Sequence, residues 1–254
     1  MPNITPIELG ASPAEDEGLY VHSVYNSIAT HFSQTRYKPW PLISAFLASI
    51  APGSVGLDSG TGNGKYLPLD LGGVHLHSGG KDRDVVLGDA MDFGWRNGAF
   101  DFAISIATIH HLSTAERRCR AIKALLRCLN PTHGRLLIYV WATEQDTLSK
   151  RVIPNVSEGS QGDESGSRVQ DVLVPWVHSA SSTTNSQAEL TQSNTRPNPK
   201  VFQRYYHLFG PSELFVLLCQ AAKELGLQLG AAAPIIQEGW ERSNYYIEAR
   251  LWES

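Results

Sequence analysis

Residues 55–67 read V-G-L-D-S-G-T-G-N-G-K-Y-L, and this stretch decides the fold of the chain. A short apolar run ends in Asp58, and glycines then alternate at Gly60, Gly62 and Gly64. The pattern predicts a strand that leads into a tight turn, because glycine tolerates positive φ and leaves the main chain bare for a ligand. A carboxylate at this turn would repel a phosphate, so Asp58 suits an ammonium group or ribose hydroxyls instead.

The spacing D-x-G-x-G-x-G resembles the first motif of S-adenosylmethionine-dependent methyltransferases. Under this interpretation Asp58, Gly60, Gly62 and Gly64 bind the cofactor S-adenosylmethionine. The alternative is a Rossmann dinucleotide fold, whose fingerprint G-x-G-x-x-G has a different spacing. An ordinary glycine-rich turn also stays open, because a glycine motif alone is a weak signal.

Composition sets bounds on the chain without selecting a chemistry. With 254 residues, of which 42% are hydrophobic, the chain can bury one large core that carries appendages. The net charge of -4 excludes a global nucleic-acid signature, so any RNA contact needs local basic patches. Cys119, Cys128 and Cys219 form neither a C-x-x-C pair nor an even framework. They predict a reduced protein in the cytoplasm, with the nucleus as a further location.

Neither a membrane nor a secretory route is expected from the sequence. The first 18 residues are polar and acidic and contain prolines, unlike a signal peptide. No apolar run approaches the ~20 residues that are needed to span a bilayer.

Three segments of different composition organise the chain. Residues 1–18 are predicted to form a flexible tail, and residues 19–254 a single domain. A disordered insertion is predicted at about residues 152–200, which are rich in Ser, Thr, Asn and Gln and apolar only over residues 172–177.

Hydrophobic periodicity predicts alternating helices and strands. Helices are predicted over residues 19–32, 39–50, 113–129 and 211–225, the third beginning with a capping box of Ser113 and Glu116. Strands are predicted over residues 54–58, 85–88, 100–107, 135–141, 234–237 and 245–252, with a weaker candidate at 74–77. This alternation predicts an α/β fold with a doubly wound, mostly parallel sheet. Ligands of such sheets bind at the carboxyl ends of the strands, where the turn of Gly60 lies.

Four further blocks make the resemblance specific. They are Y-V-H-S-V-Y-N-S-I-A-T-H-F-S-Q-T-R-Y-K-P-W-P at residues 20–41, F-D-F-A-I-S-I-A-T-I-H-H-L-S-T at 100–114, Y-V-W-A at 139–142 and R-Y-Y-H-L-F at 204–209. Together they resemble the eukaryotic, fungal-type tRNA wobble-uridine carboxymethyl methyltransferases. The resemblance implies a class I, Rossmann-like fold that binds S-adenosylmethionine. It also implies methyl esterification of 5-carboxymethyluridine at the anticodon wobble position, with tRNA and a small zinc-binding activator subunit as partners.

The acceptor in such a reaction is a carboxylate, which is already ionised at neutral pH and needs no general base. Catalysis then consists of holding an oxygen in line with the methyl group and excluding water. A cation should hold the substrate carboxylate, and Arg36 and Lys38 of the matching Q-T-R-Y-K-P-W block are the candidates, since arginine binds carboxylates with two parallel hydrogen bonds. By composition alone, both would be solvated charges beside a helix start.

Aromatic and imidazole side chains are the remaining candidates at the site. Tyr37, Trp40 and Trp141 could contact or stack on an extruded base, although tryptophan is as often a core residue. His110 and His111 follow a predicted central strand, so one of them should position the substrate while the other stays structural. A metal site is not expected without further clustered ligands.

RNA contact requires local positive charge. Arg204, Tyr205 and Tyr206 combine a cation with aromatic rings, which suits single-stranded bases. Five basic residues crowd the predicted helix 113–129, where a solvated face is the simpler interpretation.

The sequence departs from the family where the cofactor ribose and adenine should bind. The matching positions nominate Asp82 and Asp89, yet only six residues separate them. A parallel crossover needs roughly a dozen residues or more, so the helix between the second and third strands of the fold is predicted to be missing. The second strand could pair abnormally, or the segment could be no strand at all. Alternatively, the sequence could be a shortened product, for example of a misassigned exon. Two functions stay open: an active methyltransferase, or a catalytically impaired relative that acts as a binding or regulatory protein.

Overall fold

The computed structural model describes residues 3–35, 38–66, 85–92, 94–147, 149, 152–154, 170–178, 200–227 and 235–251. The strands are β1 (Thr5–Pro6), β2 (Gly56–Asp58), β3 (Phe102–Ile106), β4 (Arg135–Trp141), β5 (Asp171–His178), β6 (Lys200–His207), β7 (Ile235–Glu241) and β8 (Asn244–Arg250). The helices are α1 (Pro13–Glu17), α2 (Ser23–Thr35), α3 (Pro41–Ala48), α4 (Ala115–Cys128) and α5 (Glu213–Glu224). A π-helix at Gly18–His22 joins α1 to α2, and a 3₁₀ turn at Ile109–His111 follows β3.

The central sheet has five strands in the order β2-β3-β4-β8-β7. Neighbours β2, β3 and β4 are parallel, whereas β8 runs antiparallel between β4 and β7. Four of the five strands therefore point the same way, and the prediction of a mostly parallel α/β sheet is confirmed. A two-residue turn at Arg242 and Ser243, with φ of 49° and 64°, joins β7 to β8, as the twist of a tight hairpin requires.

Helices cover both faces of this sheet. Along β3, Phe102 and Ile104 pack with Ile43 of α3, whereas Ala103 packs with α4 and α5 on the opposite face. Every residue of β3 is buried, because a parallel strand between two helical layers has no solvent face. The predicted bounds 135–141 for β4 are confirmed, since its apolar run is continuous over the same residues.

The edge of the sheet beside β2 differs from the prediction. Residues 85–88, predicted as a strand, form no strand, and Val85, Val86 and Leu87 are exposed. Within the described residues, no strand pairs with the outer edge of β2 and no helix lies between β2 and β3. The predicted weak strand at 74–77 lies outside the described residues.

A second sheet, of three strands in the order β1-β5-β6, contradicts two predictions. The predicted tail is ordered over residues 3–18, because Thr5–Pro6 pairs with β5 and Glu17 is buried. The predicted disordered insertion contains β5, whose pairing with all eight residues of β6 supplies hydrogen bonds that composition does not reveal. The rest of that insertion, residues 155–169 and 179–199, lies outside the described residues.

Polar contacts fix the second sheet to α5. His207 contacts Asp171 Oδ1 through Nδ1 at 3.0 Å and Glu213 Oε1 through Nε2 at 2.7 Å. Burial raises the pKa of both carboxyl groups, but the hydrogen bonds to His207 outweigh it and hold each pKa below its ordinary value. β5, β6 and α5 are thereby held by one buried network.

The start of α4 differs in detail from the prediction. Its N-cap is Thr114, whose hydroxyl accepts a hydrogen bond from the Arg117 amide, rather than Ser113. Ser113 is instead buried, and its hydroxyl donates to the Glu17 carboxylate at 2.8 Å. Glu17, which accepts the hydrogen bond of the Ser113 hydroxyl, lies far away in sequence. The local capping pattern therefore predicted the helix start one residue too early.

Candidate active site

The glycine turn directly follows β2. Gly60, Gly62 and Gly64 have φ of 83°, 57° and 69°, a region that side chains with a Cβ rarely adopt. A Cβ on Gly60 would lie 2.1 Å from the Thr108 hydroxyl oxygen, and that hydroxyl donates to the Ser59 carbonyl at 3.2 Å. The turn is thus locked against the loop that follows β3.

A cavity of about 500 Å³ opens beside this turn. It is lined by Asp58 and Gly60 of the turn, by Asp89 and its neighbours, and by His111. The cavity lies at the carboxyl ends of β2 and β3, where open α/β sheets bind their ligands. Gly62 and Gly64 shape the turn without lining the cavity.

Asp58 is the buried acidic group of this cavity. Burial raises its pKa to about 6, and the Thr61 hydroxyl and the Lys65 charge only partly oppose this. Its Oδ2 atom is buried without a hydrogen-bond partner within the described structure. A buried acceptor of this kind fits a donor supplied by a ligand, such as an ammonium group or a hydroxyl.

Asp89 also lines the cavity and is exposed. Its Oδ1 atom accepts a hydrogen bond from the Met91 amide at 2.9 Å, which fixes the side chain. Asp82, the other predicted acidic residue of the pocket, lies outside the described residues.

The N-terminal segment completes the cavity through Glu17 and His22. Glu17 Oε1 accepts hydrogen bonds from the Ser113 amide at 2.7 Å and from Arg117 Nε at 2.7 Å. Burial raises the pKa of Glu17, but these hydrogen bonds outweigh it and lower the pKa below its ordinary value. The carboxylate therefore fastens the π-helix beside the cavity, and short π-helices are frequent at functional sites.

A directed chain of hydrogen bonds leads from Arg204 to the cavity wall. His111 Nδ1 lies 2.8 Å from the Tyr205 carbonyl, which can only accept, so Nε2 is unprotonated and accepts from the Tyr25 hydroxyl at 3.0 Å. The Tyr206 hydroxyl must then donate to Tyr25, at 3.1 Å, while it accepts from Arg204 Nη1 at 2.8 Å. Each member has one available direction, so the chain fixes the orientation of His111.

Both histidines make hydrogen bonds within the protein. Burial lowers the pKa of His111 to about 3, so its imidazole is uncharged at neutral pH. His110 is fully buried, and its Nδ1 accepts from the Trp141 amide at 3.2 Å. Within the described residues, no group of three or more acidic, cysteine or histidine side chains is arranged to hold a metal ion.

Arg204 is a buried cation, 3% exposed. Its guanidinium lies over the rings of Trp176, at 4.9 Å, and Tyr206, at 5.2 Å. Burial lowers its pKa, but the Tyr206 and Tyr25 hydroxyls outweigh that effect and raise it, so the side chain stays charged. Its Nε atom has no hydrogen-bond partner, and among the described residues no carboxylate forms an ion pair with it. A buried cation without an ion-pair partner is a candidate site for an anion.

The structure brings only some of the predicted substrate residues to this region. Arg36 and Tyr37 lie outside the described residues, and Lys38 is exposed. Trp40 packs against Tyr139 at a ring distance of 4.7 Å and does not line the cavity. Their predicted roles stay predictions.

Trp141 and Tyr205 are enclosed by other side chains. One face of Trp141 stacks on Tyr206, with ring centroids 4.3 Å apart. Tyr205 is 1% exposed, and its hydroxyl donates to Asp171 at 2.5 Å. The prediction that Tyr205 contacts an RNA base does not fit this burial; its carbonyl instead holds His111.

Several residues of the site were not predicted from the sequence. Glu17, Thr108 and Tyr25 act through partners that are distant in the chain, so no local pattern marks them. Tyr25 does belong to the matching block of residues 20–41, which was the available signal.

Three of the five basic residues of α4 are engaged within the protein. Arg117 pairs with Glu17 and Lys123 with Glu224, while Arg118 is buried beside Glu213. Arg120 and Arg127 are exposed, so the solvated face that composition favours describes only part of the helix.

Comparison with known proteins shows which family and which relatives this chain is similar to. The sequence family described as a methyltransferase domain matches residues 74–138. The tRNA (carboxymethyluridine(34)-5-O)-methyltransferase of Schizosaccharomyces pombe is 37% identical over 248 residues, which span 92% of this chain and 97% of that protein. The protein of the same name from Saccharomyces cerevisiae is 40% identical over 205 residues, spanning 74% of this chain and 68% of that protein.

A solved structure supports the fold. The 1,6-didemethyltoxoflavin-N1-methyltransferase of Burkholderia thailandensis, crystallised with S-adenosylhomocysteine, matches with a TM-score of 0.59 over 98% of this chain and 95% of its own. At 17% sequence identity this similarity concerns the fold alone. Among the helices of the described residues, none has the length and hydrophobicity of a membrane span.

Proposed function

Because this chain belongs to the tRNA (carboxymethyluridine(34)-5-O)-methyltransferase family, we propose that it methylates the carboxylate of 5-carboxymethyluridine at the tRNA wobble position. The observation that supports the proposal is that two connected sites each contain a buried group without a partner among the described residues. Asp58, which lines the cavity at the glycine turn, has a buried carboxylate oxygen without a partner, and the buried Arg204 has no anion beside it among the described residues. The chain Arg204–Tyr206–Tyr25–His111 connects them.

The cavity residues fit S-adenosylmethionine. When bound, this cofactor supplies an electrophilic methyl group on a sulfonium sulfur. Asp58 Oδ2 would accept a hydrogen bond from its ammonium group or its ribose, and the bare main chain at Gly60 allows close approach. Asp89, which lines the same cavity, would hold the adenosine side.

The protein then has to position the acceptor carboxylate and does not have to transfer a proton. The acceptor carboxylate is already an anion, so no side chain must remove a proton. Arg204 would bind this anion through its Nε and Nη groups, because guanidinium and carboxylate form paired hydrogen bonds. His111, held neutral and oriented by Tyr25 and the Tyr205 carbonyl, would form the wall between the two sites. Arg36 and Lys38 are further candidates for the same anion.

Calorimetric titration with S-adenosylmethionine, with the activator subunit present, tests the cofactor half of the proposal. A failure to bind at millimolar cofactor would overturn it. Methyl transfer to tRNA that carries 5-carboxymethyluridine tests the substrate half. We expect turnover by the native chain, loss of most of it in Arg36→Ala, and none on tRNA whose wobble base is plain uridine.

A second candidate is a catalytically impaired relative that binds partners without turnover. The separation of Asp82 and Asp89 by six residues favours it, since a normal crossover between two parallel strands is longer. The same calorimetric titration distinguishes the two, because only the methyltransferase needs measurable cofactor affinity.

A small zinc-binding activator subunit is the partner that the family resemblance implies. The exposed apolar side chains of Val85, Val86 and Leu87 beside the cavity support a covering protein there, because such runs are rarely left in water. The isolated chain should then be poorly soluble, and co-expression with the activator should rescue it. A cytoplasmic location, with the nucleus in addition, accompanies this proposal.

A further inference from the structure

One face of β6 carries alternating cations and rings. Lys200, Phe202, Arg204 and Tyr206 occupy every second position and therefore point to the same side of the strand. We name these four residues the aromatic ladder. Successive members are ~6.6 Å apart along a strand.

The ladder is continuous from the surface to the candidate active site. Lys200 Nζ lies 4.8 Å from the Phe202 ring centroid, and Arg204 lies over both Trp176 and Tyr206. At the inner end, the Tyr206 ring contacts His111 with centroids 4.5 Å apart. The inner end is therefore the part that adjoins the cavity.

The outer end of the ladder is accessible and is flanked by further rings. Lys200 is exposed and Phe202 half-buried, and β5 places Trp176 opposite Phe202 and His178 opposite Lys200. Helix α2 adds His31 and Phe32, whose rings contact Trp176 at 5.4 and 5.5 Å. Half-buried rings beside a cation form the kind of surface on which unpaired bases stack.

We propose that the outer end of the ladder binds the unpaired anticodon nucleotides next to the wobble base. The proposal rests on the proposed function, because it takes the wobble uridine to lie at the inner end. Charge favours RNA as the occupant: among the described residues Lys200 and Arg204 form no ion pair, whereas the basic residues Arg117 and Lys123 of α4 do. Because rings stack on any base and cations bind any phosphate, this surface also predicts little sequence preference.

The test is the affinity for an unmodified anticodon stem-loop, measured by fluorescence anisotropy with S-adenosylhomocysteine and the activator subunit present. Phe202→Ala should weaken binding about ten-fold, since one base–ring stack is lost. Phe202→Tyr should retain affinity, while Phe202→Leu should not, because leucine preserves apolar area without a flat face. Val201→Ala is the matched control, on the exposed opposite face of the same strand, and should bind like the native chain.

Lys200→Ala adds a readout that loss of packing would not produce. The slope of log affinity against log salt should fall by about 0.7, the value expected for one phosphate contact to a single strand. Because Lys200 is exposed, this variant folds even if substitutions of Phe202 do not.

The outcomes separate this proposal from the proposed function. If Phe202→Ala and Lys200→Ala bind the stem-loop like Val201→Ala, the ladder does not bind RNA, whether or not the native chain methylates tRNA. If they weaken RNA binding while the native chain shows no turnover, the ladder stands and the methyltransferase proposal fails. If they weaken binding of the activator subunit instead of RNA, the ladder is a protein interface and the proposal is overturned.

Discussion

Glu17 and Arg117 form a bidentate ion pair across 100 residues of sequence. Arg117 Nε donates to Glu17 Oε1 at 2.7 Å and Nη2 to Oε2 at 2.5 Å, and the Glu17 side chain is 3% exposed. The same carboxylate accepts both the amide and the hydroxyl of Ser113, in the loop that follows His111. The N-terminal segment is thus attached to the loop that carries the candidate active site.

Glu17→Gln should weaken cofactor binding. The amide removes the charge that holds Arg117, so the π-helix would no longer be fixed at the cavity wall. We expect about ten-fold lower affinity for S-adenosylmethionine by calorimetry and a lower melting temperature, because breaking a buried ion pair is costly. Glu15→Gln, on the exposed side of the same helix, is the control and should change neither. Normal cofactor affinity with a lowered melting temperature would show that Glu17 is only structural.

Asp58→Asn should stabilise the free protein while it impairs cofactor binding. Burial raises the folded pKa of Asp58 from 3.8 to about 6, so the folded state resists losing this proton. Stability therefore falls as pH rises between these two values, by at most about 3 kcal/mol, and the loss is complete at pH 7. The variant should melt higher than the native chain at pH 7.5 and alike at pH 3.5.

The cofactor affinity of Asp58→Asn should fall about ten- to hundred-fold, the loss expected for one hydrogen bond to a charged group. Asp101→Asn is the control, for which the opposite change in melting temperature is expected. Burial raises the pKa of Asp101, but the Val55 amide and His133 outweigh it and lower the pKa, so this variant should melt lower at pH 7.5. An Asp58 variant that binds cofactor normally would remove Asp58 from the site.

How much of the fold could be predicted from the sequence depends on how far apart in the chain the interacting residues lie. The bounds of β4 and the turn at Gly60 were predictable, because a continuous apolar run and a glycine pattern are local signals. Strand β5 was not, since its apolar residues lie within a polar segment and include Pro175; its pairing with β6 and the helix α2 above it determine its structure.

The residues of the candidate site likewise differ in whether a local pattern marks them. Asp58, Asp89 and His111 were found because motif and resemblance mark their positions, and the structure brings all three to one cavity. Glu17 was assigned to a flexible tail because its partners Ser113 and Arg117 are about 100 residues away. Residues 85–88 were wrongly predicted as a strand because apolar composition was read as burial.

His111 should stay neutral through the physiological pH range. Its folded pKa is lowered to about 3 by burial, against 6.5 in the unfolded chain, so the unfolded state takes up the proton first. The stability linked to this group is complete above pH 6.5 and is lost as pH falls toward 3. In NMR spectra of histidine-labelled protein, the resonance assigned through His111→Gln should not shift between pH 8 and 5, whereas in urea it should titrate near 6.5. A midpoint near 6.5 in the folded protein would contradict the directed hydrogen-bond chain.

Arg204→Met should separate substrate binding from folding. The guanidinium is buried, its Nε has no partner, and it forms no ion pair among the described residues, so no anion offsets its desolvation. Methionine fills the same space between Trp176 and Tyr206 without a buried charge, and replacement of buried charges by apolar side chains is often neutral or stabilising. We therefore expect an unchanged or higher melting temperature together with at least a hundred-fold fall in kcat/KM for carboxymethyluridine tRNA. Arg204→Lys, which keeps the charge but not the paired donors, should lie between the two. If Arg204→Met melts lower and methylates normally, the guanidinium serves packing, and the carboxylate must be bound elsewhere, with Arg36 and Lys38 as the next candidates.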